Sequence, residues 1–342
     1  MEPLDFEKPL MEIEKNIVQL KEKALNEKID FSETIAVLEK EVIEKKKQLY
    51  RNLSPDQRLK IARHPNRPNT LDYISFIFKD FIELHGDRVF GDDNAIIAGL
   101  ATVGGHGVVV IGQQKGKDTK EKLFRNFGMA HPEGYRKALR IMQMASRFQV
   151  PIISFIDTPG AFPGISAEER GQASAIAVNL REMMSLKTPV ICYVIGEGGS
   201  GGALGIAVGD KIVMLEHAYY SVISPEGCAA ILWKTATKTP EAAQALKMTA
   251  TDLHAFGIVD EILEEPLGGA HRNPQEMAQT IKLSIIQTIE EFSRLGGEAL
   301  IRHRQEKFRQ IGVYQTQALS QPSVSQTEME IGPSPAFNKP VE

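Results

Sequence analysis

Apolar residues at Leu10, Ile13, Ile17 and Leu20, and again at Phe31, Ile35, Leu38 and Val42, recur at alternating spacings of three and four among charged neighbours. The pattern predicts a helical hairpin, with Asn26 to Asp30 as its turn and Asp30 followed by Glu33 as the start signal of the second helix. A coiled-coil interaction arm and two short helices packed on their own core both satisfy it. Ser54-Pro55-Asp56-Gln57 caps a further helix, and Thr70 opens one that carries Tyr73, Phe76, Ile77 and Phe81. From residue 95 the period changes. Ala95 to Val103 and Val108 to Gly112 read as strands joined across Gly104-Gly105-His106-Gly107. Helix and strand then alternate: a helix at Pro132 to Phe148, a strand at Pro151 to Asp157, a helix from Ser166 and Glu169 to Leu186, and a strand at Val190 to Ile195. A brief glycine-led helix, a strand at Lys211 to Leu215 and a terminal helical stretch from Pro274 to about Gln310 complete the order.

Strand starts at 108, 151 and 190 with helices between them argue an α/β fold with mostly parallel pairing. Short strands with Gly and Pro at their ends suit a coiled stack of β-β-α turns. The division expected is a helical arm over 1–53, a catalytic domain over 54–311, and a tail over 312–342 whose Gln, Ser and Pro content predicts disorder.

Composition narrows the function. The chain has 342 residues, 42% hydrophobic and 25% charged, so it can bury a sizeable core. A net charge of −4 offers no general field for nucleic acid. No apolar run approaches the ~20 residues needed to span a bilayer. Cys192 and Cys228 stand far apart with no CxxC or HExxH, which encodes neither a disulfide framework nor a metal site and predicts two buried thiols in a reducing compartment. An acidic stretch from Met1 to Leu10 lacks the features of a secretory or transit peptide. The expected location is the cytoplasm, or a plastid stroma if made there.

Two turns carry the candidate chemistry. Gly196 to Ala203 holds five glycines at the end of a strand and the start of a helix, where amides lack intrahelical acceptors. Freed of side chains, the amides of Gly201 and Gly202 suit an oxyanion or a phosphate. The blander reading is tight helix-to-strand packing. The second turn, Asp157-Thr158-Pro159-Gly160-Ala161-Phe162-Pro163-Gly164, follows the neighbouring strand, and such carboxyl ends collect ligands in α/β proteins. Asp157 reads as a metal ligand, a base, or a strand-end Asp bonded to the following turn.

Two rival motifs need weighing. Gly196-x-Gly198-x-x-Gly201, with Glu216 twenty residues on, satisfies the dinucleotide fingerprint and leaves an oxidoreductase as the alternative function. The helix after it, however, is barely two turns long, too short for a crossover. A P-loop at Gly112 to Thr119 fails on spacing, having three residues between its glycines and Asp118 where a hydroxyl is required.

A longer set of blocks is more specific: ARHPNRP at Ala62 to Pro68, TLDY at Thr70 to Tyr73, QKG, TKEK and RNFGM between Gln114 and Met129, and PEGYRKALR at Pro132 to Arg140. FIDTPGAFPG and AEERGQ follow between Phe155 and Gln172, then IGEGGSGGAL at Ile195 to Leu204, VISPEGCAAILWK at Val222 to Lys234 and EPLGGAHRNP at Glu265 to Pro274. Over roughly residues 5 to 310 the chain resembles the α subunit of the carboxyltransferase component of bacterial and plastid acetyl-CoA carboxylase.

The resemblance implies a crotonase-like β-β-α superhelix. It implies transfer of a carboxyl group from carboxybiotin, held on a separate biotin carboxyl carrier protein, to acetyl-CoA, giving malonyl-CoA for fatty-acid synthesis. The implied partners are a β subunit of related fold that carries the zinc, in an α2β2 assembly, and the biotin carboxylase that consumes ATP. No metal is expected on this chain. Gly201 and Gly202 are the implied oxyanion donors, Gly160 and Ala161 a supporting pair, and Gly198, Gly199 and Ser200 the vicinity of carboxybiotin. The basic run Lys115, Lys117, Lys120, Lys122 and Arg125 reads either as a CoA phosphate contact or as a solvated loop face.

Overall fold

The computed structural model describes residues 4–27 and 30–312. Two charged helices, α1 (Lys8–Glu27) and α2 (Ser32–Arg51), form the arm. Lys46 Nζ lies 2.5 Å from Glu14 and Lys21 Nζ 2.7 Å from Glu39, so the helices run antiparallel. Leu10, Ile17 and Val42 are buried between them. Asp30 caps the second helix through the Ser32 amide at 2.9 Å, not through the residue three positions on. The arm is anchored at its base, where buried Glu7 accepts from Tyr50 Oη and from Arg272, each at 2.6 Å. Part of the expected turn, 28–29, and the expected disordered tail, 313–342, lie outside the described residues.

Ser54 caps α3 (Pro55–Ala62) with a reciprocal Gln57 bond, as the sequence predicts. Helix α4 (Thr70–Ile77) ends before Phe81, which belongs instead to an edge strand, β1 (Lys79–Glu83). Strands β1, β2 (Ile96–Val103) and β3 (His106–Gln113) are antiparallel, and Val103 pairs His106 across the hairpin. After α5 (Thr119–Phe124) and α6 (Pro132–Phe148), β4 (Ile152–Thr158) and β5 (Val190–Gly199) continue in parallel and are buried along their whole length. Such continuous apolar runs mark strands covered on both faces.

Alternation assigns the faces. Phe155 and Tyr193 point to one side, where Phe155 stacks on Tyr73 of α4. Ser154 and Cys192 point to the other, where Ser154 Oγ donates to the Ile206 carbonyl at 2.6 Å. The helix expected from Ser166 to Leu186 is two helices, α7 (Ile165–Glu169) and α8 (Gln172–Met183). Gly171 interrupts it at φ +82°, a conformation a helix interior forbids. No side chain caps α7, so the Ser166/Glu169 box is not formed.

Strand β5 runs on through Gly196 to Gly199, four residues past the predicted end, and is followed by α9 (Ser200–Leu204). Its first half pairs β6 (Lys211–Leu215), and its glycine end pairs a separate short strand, β7 (Tyr219–Ser221), so the sheet forks there. Helices α10 (Pro225–Trp233), α11 (Thr239–Ala245) and α12 (Ala250–Ala255) lead to β8 (Glu261–Leu263), which completes the order β1-β2-β3-β4-β5-β6-β8. The terminal stretch divides at Ser293 to Gly296 into α13 (Pro274–Phe292) and α14 (Gly297–Gln310). From α14 the wholly buried Arg304 reaches back into the body: it bonds Asp210 at 3.0 and 2.6 Å and the carbonyls of Leu186 and Thr188, each at 3.1 Å. Asp210 in turn accepts from the first amide of β5, Val190, at 2.8 Å.

Candidate active site: two backbone segments meeting at a helix start

The two glycine-bearing turns of the sequence touch. A Cβ built on Gly199 would stand 2.2 Å from the Pro159 carbonyl oxygen, and one on Gly202 would stand 2.3 Å from Ala161 N and Gly160 C. No side chain fits between the segments, so the close approach itself requires glycine. Gly201 differs. The nearest atom to a Cβ there is Ile176 Cδ1 at 3.8 Å, ordinary contact.

These distances separate the roles of the candidates. Gly198 and Gly199 are buried within β5, where Gly198 pairs Tyr220 and Gly199 pairs Ser221. They are sheet residues, and of the three expected beside carboxybiotin only Ser200 reaches the surface. Ser200 makes the turn into α9 at φ +51°. Gly202 is buried and Gly201 half-buried. Both amides stand in the first helical turn, beyond the reach of any helix carbonyl. Of the supporting pair, Gly160 is already engaged, its amide donating to Thr158 Oγ1 at 3.2 Å. Gly201, with Ser200, lines a cleft of about 400 Å³ whose other walls include Leu204, Tyr220, Val222, Leu253, Phe256 and Ile258. An apolar slot lined by the first turn of a helix suits a flat ring that presents one oxygen.

The turn is fixed from behind by a residue that the sequence reading passed over. Gln113, the last residue of β3, is fully buried. Its Nε2 donates to the Gly202 carbonyl at 2.9 Å, while its Oε1 accepts from the Asp157 amide at 3.0 Å. Tyr135 Oη donates to the same Gly202 carbonyl at 3.2 Å. The signal available was a polar side chain at the end of an otherwise apolar buried strand.

On the far side of Pro159 lies a charged cleft of about 310 Å³, lined by Arg63, His64, Lys115, Lys122, Phe127 and Glu197 among others. Lys115 Nζ bridges Asp157 at 2.7 Å and Glu197, and Arg63 Nε holds Glu197 at 2.6 Å. Burial pushes the Glu197 carboxyl up, but Lys115 and Arg63 outweigh it and hold the group down at about 2. Burial prevails at Asp157, which is raised above the usual carboxylate range despite Lys115. Asp157 Oδ1 accepts from the Glu197 amide at 2.9 Å, so it ties two strands together and does not bond the turn that follows it. The rest of the basic run is dispersed: Lys117 pairs Asp72, Arg125 donates to the Asn94 carbonyl, Lys120 is exposed, and only Lys122 joins Lys115 in the cleft.

The dinucleotide fingerprint has no room to act. Gly196 to Gly199 are strand, α9 has five residues, and Glu216 accepts from the Glu265 amide at 3.3 Å. Among the described residues no group of three or more His, Cys, Asp or Glu is placed to hold a metal, and no helix is long and apolar enough to cross a membrane.

Residues 3–312 match the family model described as acetyl co-enzyme A carboxylase carboxyltransferase-like. The α subunit of acetyl-coenzyme A carboxylase carboxyl transferase from Rippkaea orientalis is 56% identical over 311 residues, 91% of this chain and 96% of that one. The chain belongs to the carboxyltransferase α-subunit family. Relatives of the same description from Geobacter metallireducens, 55% identical over 308 residues, and Bacillus cereus, 56% over 312, cover 96% of their own lengths as well.

Among solved structures, transcarboxylase 12S with methylmalonyl-coenzyme A and methylmalonic acid bound is similar, with a TM-score of 0.56 at 18% identity. The β subunit of Pseudomonas aeruginosa geranyl-CoA carboxylase gives 0.50 at 16%. The matches cover 71% and 72% of this chain but only 46% of each of theirs, and they establish the crotonase-like carboxyltransferase fold. The α-subunit chain is thus a carboxyltransferase and not an oxidoreductase.

Proposed function

We propose that this chain forms the carboxybiotin half of an acetyl-CoA carboxylase carboxyltransferase, moving a carboxyl group from carboxybiotin on a carrier protein to acetyl-CoA to give malonyl-CoA for fatty-acid synthesis. The observation that carries the reading is Gly201, which lines an apolar cleft from the first turn of α9, where amides lack helix acceptors, in a turn fixed from behind by Gln113 and Tyr135. When bound there, carboxybiotin supplies an activated carboxyl group and a ureido oxygen that gathers negative charge as the carboxyl departs. The Gly201 amide would donate to that oxygen, with the Gly202 and Ala161 amides as supporting donors. The apolar walls exclude water, which strengthens the hydrogen bond and protects the carboxyl from loss to solvent. Because α9 is only five residues long, its dipole adds little, and the amide itself does the stabilising.

The second reactant needs walls that this chain does not supply. Val222, on the cleft wall, is 77% exposed, and Ile231, Leu232 and Trp233 on α10 are 60, 64 and 40% exposed. An apolar surface of this kind supports a covering partner: a carboxyltransferase β subunit that carries the zinc, in an α2β2 assembly with acetyl-CoA bound between the subunits. Biotin carboxyl carrier protein and biotin carboxylase complete the partners, and the cytoplasm is the proposed location. The test follows malonyl-CoA decarboxylation with free biotin in the assembled enzyme. Gly201→Val, whose Cβ has room and whose branched side chain is expected to crowd the amide, should lower kcat about 10²- to 10³-fold in a folded protein. A folded variant with near-normal turnover overturns the assignment.

A further inference from the structure

We propose that Gln113 is a positioning residue for carboxyl transfer, setting the spacing between the β4 turn and the amide-bearing turn of α9. Backbone pairing of β3 with β4 ends at Gly112 and Phe155. Immediately beyond, the β4–β5 register slips between Ile156 and Thr158, which leaves Asp157 at an irregularity. There the Gln113 carboxamide replaces the missing rung. Its oxygen accepts from the Asp157 amide at 3.0 Å and its nitrogen donates to the Gly202 carbonyl at 2.9 Å, so one rigid planar group spans both segments. The backbone of Gln113 is itself pinned, its carbonyl accepting from Thr70 Oγ1 at 2.5 Å.

The position needs a donor and an acceptor on one short, uncharged side chain. Ionised Glu accepts but cannot donate, and its charge would face the Gly202 carbonyl. Met fills the space with neither capacity. Tyr135 still holds the Gly202 carbonyl when Gln113 is lost, and the Glu197 amide still reaches Asp157 Oδ1, so the turn stays formed, but no side chain then joins the Asp157 amide to the Gly202 carbonyl. A shift of the turn by about 1 Å is enough to cost on the order of 10²-fold in rate.

The inference rests on the assignment of the Gly201 amide, and the test keeps the two apart. Full-length chain carrying Gln113→Met, Gln113→Glu or Gly201→Val is assembled with the β partner, and kcat and KM for malonyl-CoA are measured from pH 5.5 to 8.5 relative to wild type. Gln113→Met should lower kcat about 10²-fold with KM little changed. Gln113→Glu should be equally impaired at pH 8.5 and regain activity relative to wild type on acidification, because a buried carboxyl protonates readily and then donates to Gly202 as the amide did. Near-normal kcat in folded Gln113→Met, or a Gln113→Glu defect independent of pH, overturns the positioning role. Should Gln113→Met fail to fold, the Gln113→Glu profile alone decides. An active Gly201→Val enzyme instead removes the oxyanion assignment on which the inference stands.

Discussion

At the residue scale, the two glycines that look alike in sequence do different work. Gly202 abuts the Gly160–Ala161 backbone, so even Gly202→Ala forces the segments apart, and the cost should be about 3 kcal/mol or more, near the upper end for overpacking. Gly201→Ala meets nothing closer than 3.8 Å and should leave the melting temperature within a few degrees of wild type. Equal losses in the two variants would show that the segments are not in contact as described. The glycine surplus that marks this turn was legible in the sequence, and the packing reading accounts for Gly196, Gly198, Gly199 and Gly202, where a Cβ would stand within 3 Å of a neighbour. Which glycine faces the cleft was not legible, since that depends on the path of Pro159 to Ala161, about forty positions earlier. Gln113 was illegible for the same reason: its side-chain partners come from β4 and α9, far along the chain.

At the element scale, β4 and β5 are joined by charge as well as by their ladder. Glu197 is depressed from its ordinary 4.5 to about 2. Its contribution to stability is therefore present above pH 4.5 and lost as pH falls toward 2. Asp157 is shifted the other way, so its protonation on acidification favours the folded state. Lys115→Met leaves both carboxylates facing each other without their shared cation, and the expected cost near pH 8 is roughly 3 kcal/mol. The deficit should shrink by pH 5 as Asp157 takes up a proton. Thermal melts of wild type and variant at the two pH values test this, and a deficit unchanged by pH would falsify it. The long apolar period of α6 and the unbroken apolar run of β6 were readable to the residue. The α7–α8 break was not, because Gly171 acts through backbone torsion and leaves the helical spacing around it intact. Three-residue strands such as β7 and β8 are too short to have a period at all.

At the scale of the whole molecule, the alternating order of strands and helices was enough to give a mostly parallel α/β sheet, whereas the fork at β7 arises only from the continuation of β5 through its glycines. The exposed apolar face of α10 leads to an assembly prediction. Leu232→Glu or Trp233→Glu should weaken association with the proposed β partner while leaving the melting temperature of the free chain unchanged. Sedimentation of the mixed subunits reads the outcome, and undiminished assembly would place the interface elsewhere. The free chain itself should show no decarboxylation activity.

The Arg304 clamp has a temporal side. Asp210 lies fully buried at the start of β6, and the guanidinium that neutralises it comes from a residue 94 positions later. During synthesis at about 5–20 residues per second, that interval lasts roughly 5–20 s. Until it ends, closing the central sheet means burying an uncompensated carboxylate, so the strands that build the candidate site are made early but completed late. A chain released before α14 is finished should remain open around β5 and β6 and be cleared or aggregate, whatever the quality of its glycine turns. In a ribosome-bound series of increasing length, protease resistance of the 190–215 region should appear only after Arg304 has left the exit tunnel.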